Sequence, residues 1–303
     1  MAIDLLKTDL HMHSRVSDGT DMPPEILSHV KEAGIELFSL TDHDALKGCM
    51  EIRSLLTAES PAFMTGVEFS CRDEQGQYHI LGYGYGPEEA GVNRVVSLGH
   101  SYRMNKVYGR IQFLKERLGV VFPQEELDRL FHLDNPGKPH IGNLMVKYGY
   151  AEPREQAIKE FIDRVHFHSE YVRPEEAIRG ILESHGIPVL AHPSYGSGDQ
   201  LIVGKDMYER LMKLTEFGLQ GVEAYYSGFT PRLRREMLGF ADQFGLYVTA
   251  GSDYHGTNKM IDLMETGLET AEHVPERLQM FYDAVRQTPG FTDPDKLTPA
   301  QKE

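Results

Sequence analysis

The sequence predicts an α/β fold of the barrel type, interrupted by a lobe of helices. Three observations carry this. Strand-like and helix-like segments alternate from residue 5 to 85 and again from 174 to 252, as they do in parallel α/β folds. The stretch between reads as mostly helical, with breaks at Gly119, Pro123, Pro136, Gly137 and Pro153. Almost every predicted strand ends in His, Asp or Glu, and a parallel barrel gathers its strand ends at one mouth, where its active site lies. The expected organisation is a barrel domain over 1–86 and 174–290 with a helical insertion over 87–173 covering that mouth.

Leu5–His13 is the first strand, followed by a Ser/Asp/Gly turn. Pro23 and Pro24 open a helix that Gly34 closes. Glu36–Thr41 is a strand, Ala45–Leu56 a helix and Ala62–Ser70 a third strand. Tyr78–Tyr85 is rich in aromatic and β-branched residues, and the polar turn Arg72–Gln77 before it predicts a hairpin. After the helical stretch come helix Pro174–His185, strand Ile187–His192, helix Met207–Phe217, strand Gly221–Ser227, helix Pro231–Phe244 and strand Leu246–Ser252. A mostly parallel sheet is expected. The polar last segment, FTDPDKLTPAQKE and its neighbours, is expected to fray.

Composition narrows the function. No apolar run is long enough to cross a membrane, and the N-terminal MAIDLLKTDLHMH, with Asp4 and Asp9, does not read as a secretory leader. Cys49 and Cys71 form neither a disulfide framework nor a CxxC pair, so a cytoplasmic setting is expected. The net charge of −15 argues against a large nucleic-acid partner, which would call for a basic stripe. No GxSxG elbow supplies a serine nucleophile, and no GxxxxGK[ST] loop cradles a nucleoside triphosphate.

The chemistry lies at the strand ends. The first strand ends in His11-Met-His13, which alternation puts on one face, with Asp18 just beyond. The second ends in Asp42-His43-Asp44, the third in Glu68, and the hairpin carries His79. Later strands end in His192 and in Asp253-Tyr-His255. Nine imidazoles and carboxylates gathered at one mouth need compensation, and metal ions supply it. Imidazole and carboxylate together suit Mn, Fe or Zn, and nine ligands are too many for one ion and enough for two or three. Asp42 and Asp44 either orient an imidazole or cap the next helix, and Asp44 is read as a cap. Asp9 is read as a supporting or a structural carboxylate.

On these residues, DLHMHSRVSDG, LTDHD, GVE, HILGY, AHP and GSDYH in that order, the chain resembles the PHP family of phosphoesterases, named for polymerase and histidinol phosphatase. The resemblance runs from about residue 8 to 255. It implies a distorted seven-stranded (β/α) barrel with a trinuclear site. It implies that His11, His13, Glu68 and Asp253 hold one metal, that Glu68 bridges to a second bound by His79 and His192, and that Asp18, His43 and His255 hold a third. The helical insertion is similar to that of members acting on small phosphorylated metabolites, including nucleoside 3′,5′-bisphosphates and a sugar cyclic phosphodiester. In such relatives a Pro-His motif lies near the substrate, and Lys138-Pro139-His140 is similar to it. His140 is the candidate leaving-group acid, and Arg103, Arg110, Lys138 and His140 are candidate substrate ligands. Relatives carry a basic residue soon after Ala-His-Pro; here Ser194, Tyr195 and Gly196 follow.

The expected reaction is hydrolysis of a small phosphorylated substrate, a nucleotide bisphosphate-type monoester or a sugar cyclic phosphodiester. A hydroxide bridging two ions attacks phosphorus in line with the departing alkoxide. An amidohydrolase-type C–N hydrolase also uses an HxH strand and a late Asp, but the strands offer no Lys for carbamylation, and Asp18 and His79 would be surplus. A non-catalytic metal-binding module tends to lose ligands, and none of the nine is lost here.

Overall fold

Pro23 and Pro24 stand in the first turn of α1 (Pro23–Glu32), where a missing N–H costs nothing, and Gly34 at φ 70° ends the turn beyond it. Local signals of this kind place most helices where the sequence predicts them. In α9 (Pro231–Phe244) the Thr230 hydroxyl accepts the Leu233 N–H at 3.3 Å, and Gly245 closes the helix in a left-handed conformation. A computed structural model describes residues 3–133, 136–165, 170–195 and 201–297. Of the expectations above, those for Gly196 and for residues 298–303 fall outside the described residues.

The chain divides into two compact units, Met1–Val96 with Val172–Glu303, and Ser97–Tyr171. In the first, β1 (Thr8–Asp9), β2 (Leu37–Phe38) and β3 (Ala62–Met64) pair in parallel, and β9 (Phe291–Thr292) joins β3 antiparallel. Helices α1 and α2 (Lys47–Leu55) are part of a core with these strands that includes Met12, Ile26, Val30, Phe38, Ile52 and Phe63. The second sheet has the order β4 (Gly66–Asp73), β5 (Gly76–Tyr83), β6 (Ile187–Leu190), β7 (Gly221–Tyr226), β8 (Tyr247–Gly251). Helices α7 (Pro174–Glu183), α8 (Gly204–Glu216), α9 and α10 (Glu276–Val285) complete the unit.

Three expectations are corrected here. The predicted strand Ala62–Ser70 is two strands in two sheets: the chain leaves one at Met64 and enters the other at Gly66. The sheet is mixed rather than mostly parallel, because a two-residue turn after Asp73 allows only an antiparallel β4–β5 pair, and β5 then runs antiparallel to β6 as well. The start of the supposedly frayed end is ordered, since Phe291 and Thr292 pair with Met64 and Phe63, and Pro294 is buried. Apart from these corrections, the two ladders form separate sheets whose edges are tied by isolated parallel bridges, Met12 to Tyr254 and His43 to Glu68.

The second unit takes most of α3 (Ala90–Leu118), with α4 (Gln124–Phe131), α5 (Lys138–Lys147) and the single turn α6 (Arg154–Gln156), continued by a π-helical turn. It has its own apolar core, built on Val107, Leu114, Phe122, Leu130, Ile141 and Ile162.

Candidate metal centre

The segments that follow β1, β2, β6 and β8, together with Glu68 inside β4 and His79 inside β5, bring all nine predicted ligands into one cluster; Glu68 does not end its strand as expected, because β4 runs on to Asp73 in the hairpin. Glu68 on β4 is its hub. Glu68 Oε2 lies 3.1 Å from His11 Nε2, 3.0 Å from His13 Nε2 and 3.3 Å from His43 Nδ1. Its Oε1 lies 2.8 Å from His79 Nδ1 and 3.0 Å from His192 Nε2. Asp253 Oδ1 adds to the first group, 3.5 Å from His11 Nε2 and 3.3 Å from His13 Nε2. Asp18 gathers the rest: its Oδ1 is 3.2 Å from His255 Nε2 and 3.7 Å from His13 Nδ1, and its Oδ2 is 3.9 Å from His43 Nε2.

Three sets are compact enough to share an ion: His11, His13, Glu68 and Asp253; His13, Asp18, His43 and His255; and His43, Glu68 and His79. The first coincides with a set that the family resemblance implies. In the second His13 joins the implied trio through its other ring nitrogen. In the third His43 stands beside His79, with His192 Nε2 3.2 Å from His79 Nδ1.

The cluster fits cations on its own chemistry. Glu68 Oε2 is fully buried and makes no aligned hydrogen bond, although three imidazole nitrogens surround it. His11 Nε2 and His13 Nε2 point at each other across 3.1 Å. One proton can bridge that pair, but the buried Glu68 oxygen amid three nitrogens is an arrangement that a shared cation satisfies. Nitrogen and oxygen donors in this mix suit first-row divalent ions.

Charge is strongly redistributed. Burial alone would lower His13, but hydrogen bonds and charge from Asp253 and Glu68 outweigh it and raise the ring to about 9. Burial of His11 is likewise overcome by Glu223, Glu68 and Asp253, which raise it well above the ordinary imidazole value. Burial, with the charges of His13 and His79, pushes His43 down to about 4 against the pull of Glu68. Burial opposes the Glu68 charge, yet His43, His11 and His79 hold its carboxyl well below the usual range. A cluster that seizes protons this way is prepared to exchange them for metal.

Residues outside the predicted set hold it in place. Glu223 on β7 is fully buried; its Oε1 is 2.9 Å from His11 Nδ1, and its Oε2 accepts the His192 backbone N–H at 2.7 Å. The Tyr226 hydroxyl donates to Asp253 Oδ2 at 3.0 Å, and Lys259 Nζ pairs with the same oxygen. Asp42 accepts the Ser14 N–H and the hydroxyls of Ser14 and Ser17, which fixes the loop carrying Asp18. Asp9 accepts the N–H groups of Ser252 and Met264, a structural knot. Asp44 is not a helix cap: Leu46 precedes α2, and Asp44 Oδ1 accepts the Ser70 N–H at 3.0 Å. His192 and Asp253 both adopt left-handed backbone, φ 27° and 59°, a strain that non-glycine residues show where a side chain must be aimed.

The other four candidates belong to the helical unit. His140 Nδ1 accepts the Gly137 N–H at 3.2 Å, which leaves Nε2 as the protonated atom of the neutral ring. Burial and the nearby Arg103 lower its pKa from the ordinary value. Lys138 pairs with Asp163 at 2.5 Å. Burial lowers Arg110, against the charges of Tyr171 and Asp163.

The PHP domain family matches residues 9–286 of this chain. The chain belongs to that family. Among its PHP relatives, a phosphoribosyl 1,2-cyclic phosphate 1,2-diphosphodiesterase of Eggerthella lenta is 29% identical over 258 residues, spanning 82% of this chain and 94% of that one. A 3′,5′-nucleoside bisphosphate phosphatase of Chromobacterium violaceum is 27% identical, spanning 82% and 86%. A 5′-3′ exoribonuclease of Haemophilus influenzae is 25% identical, spanning 82% and 90%. Among solved structures, an amidohydrolase from Chromobacterium violaceum shares the PHP chain's fold with a TM-score of 0.72 at 23% identity, covering 97% of this chain and 99% of that one.

Proposed function

We propose that this chain is a metal-dependent phosphoesterase acting on a small phosphorylated metabolite, of the nucleotide bisphosphate or sugar cyclic phosphate kind. The observation that carries the reading is Glu68, a buried carboxylate whose two oxygens face two different groups of imidazoles. Together with the cyclic phosphate diphosphodiesterase and the bisphosphate phosphatase among the relatives, both named for small phosphate esters, it favours hydrolysis at phosphorus.

In this reading His11, His13, Glu68 and Asp253 hold one ion, Glu68, His79 and His192 a second, and Asp18, His43 and His255 a third, with Mn, Fe or Zn as candidates. Such ions neutralise phosphoryl oxygens and acidify water. The chain's own part is placement. Glu223 keeps the His11 proton on Nδ1, so that the Nε2 lone pair faces Glu68 and Asp253. Asp18, with a side chain 56% exposed, keeps its end of the cluster open to solvent.

Further parts of the proposal rest on residue type. His140 is the leaving-group acid through Nε2, with Arg103, Arg110 and Lys138 as phosphate ligands in the helical insertion. The two sheets are read as halves of a distorted barrel, supported by the Met12–Tyr254 and His43–Glu68 bridges. Among the described residues no helix is long and apolar enough to cross a membrane. The free thiols Cys49 and Cys71 support a cytoplasmic setting. The net charge of −15 favours small substrates over long RNA.

The test is phosphate release by the purified protein, with metal content measured and Mn added. The panel holds nucleoside 3′,5′-bisphosphates, histidinol phosphate, ribose cyclic phosphates, a generic diester and a short oligoribonucleotide. Release from one small compound, lost in His43→Ala and Asp253→Ala, is the expected result. Preference for the oligoribonucleotide, or no release with ions bound, overturns the substrate reading.

A further inference from the structure

Strand β7 should not be able to present both Glu223 and Tyr226 to the same side. Alternation puts residues 223 and 225 on one face and 226 on the other. Yet Glu223 reaches His11 and His192, and Tyr226 reaches Asp253. The pairing of β7 with β8 explains it. Val222 faces Val248 and Glu223 faces Thr249, but Tyr225, not Ala224, faces Ala250, so one extra residue sits in β7 between Glu223 and Tyr225. This β-bulge reverses the alternation. Tyr225 turns away, its ring 5.3 Å from the Arg234 guanidinium of α9, and Tyr226 turns in, its ring centroid 5.4 Å from that of His192. Bulges re-aim side chains in this way beside functional sites.

The geometry points to Tyr226 and Lys259 as positioning residues that occupy Asp253 Oδ2 and so leave Asp253 a one-oxygen ligand through Oδ1. Both take the same oxygen, while Oδ1 faces His11, His13 and His255 at 3.5, 3.3 and 3.4 Å. The backbone allows little rotation, because the left-handed Asp253 donates its N–H to the His11 carbonyl at 2.8 Å. Lys259 comes just after the turn Gly256–Asn258, with its side chain 35% exposed, so its ammonium reaches Asp253 from the solvent side while Tyr226 reaches it from β7. The role rests on the metal-centre reading above but not on the identity of the substrate.

The test uses Tyr226→Phe, Lys259→Met, Lys259→Arg and the Tyr226→Phe/Lys259→Met double variant of the full chain. Stripped protein is titrated with Mn²⁺ alone by calorimetry, and folding is checked by circular dichroism. Removing supports of this kind costs about 10- to 100-fold in ion affinity or activity. Tyr226→Phe and Lys259→Met should therefore each weaken one Mn²⁺ site about tenfold with unchanged stoichiometry. Lys259→Arg should restore binding, and the double variant should lose less than the product of the singles, since both act on one oxygen. With a substrate in hand, kcat should fall and KM should hold. Wild-type Mn²⁺ affinity in both single variants, independent effects in the double, or a loss confined to KM overturns the assignment. A wild-type protein that binds Mn²⁺ but cleaves no phosphate ester defeats the phosphoesterase reading alone, and the Mn²⁺ titration of the variants then still decides for or against the clamp.

Discussion

Glu223 and His11 meet at 2.9 Å in full burial, carboxylate to Nδ1, and the second Glu223 oxygen holds the backbone N–H of His192. One side chain thus orients a ring just after β1 and a backbone turn after β6. Glu223→Gln keeps the shape and loses the charge that supports the ring. Mn²⁺ affinity or kcat should fall by about 10- to 100-fold with little change in melting temperature. Glu223→Ala also strands a buried N–H and should cost about 1–3 kcal/mol of stability in chemical denaturation.

Gly251 ends β8 against this pair. A Cβ there would overlap the His11 Cβ and Glu223 Oε1. Gly251→Ala should lower stability by about 1–3 kcal/mol, the usual cost of overpacking, and reduce ion binding together with it. A thermal melt with and without Mn²⁺ checks both.

Ion loading should release protons. Without ions the His13 ring, raised to about 9, holds its proton at neutral pH, and His11 is shifted in the same direction, whereas His43, pushed down to about 4, is neutral. Metal ligation needs the neutral rings. At pH 7.5 the calorimetric heat of Mn²⁺ binding should vary with the ionisation enthalpy of the buffer, in the direction of proton release. Binding only the native state, Mn²⁺ should also raise the melting temperature, and a chelator should reverse this.

Cys49 and Cys71 should be silent to a thiol reagent in the folded protein and both react once it is unfolded. Burial pushes the Cys49 thiol up to about 11, and Cys71 well above the ordinary thiol value of 9.0. A folded-state pKa raised in this way contributes stability that is complete below the unfolded value and is lost as pH rises through the folded one. The Cys49 share should fade between pH 9 and about 11, and Cys49→Ser should flatten that part of the stability profile.

The nine cluster residues are legible because most of them close a predicted strand or follow it directly, with His79 in the predicted hairpin, and because the two-residue spacing of His11 and His13 fixes their common face. Glu223 is not at a strand end. Its signal is different: a carboxylate between Val222 and Ala224 in a strand buried along most of its length. Tyr226 depends on a bulge that leaves no trace in a two-residue period, and Lys259 on the path of the turn Gly256–Asn258. The split of Ala62–Asp73 between two sheets is equally hidden, since AFMTGVEFS reads as one apolar run. Helix α10 carried a readable stripe, Leu278, Phe281 and Val285. The two-residue strand β9 is defined only by its distant partner β3.

Asp9 receives the N–H of Ser252, 243 positions along the chain, and Phe63 pairs with Thr292. During synthesis the ribosome must therefore deliver nearly the whole polypeptide before its first histidines can take their final places. Until then the His11–His13 segment waits for its late partners Glu223 and Asp253, while the helical unit, with local contacts and its own apolar interior, emerges in one piece. Contacts of such long sequence separation slow folding. A nascent chain stalled just before Asp253 would already carry every histidine of the sequence except His255 and His273, yet could not assemble the cluster that gives them their use.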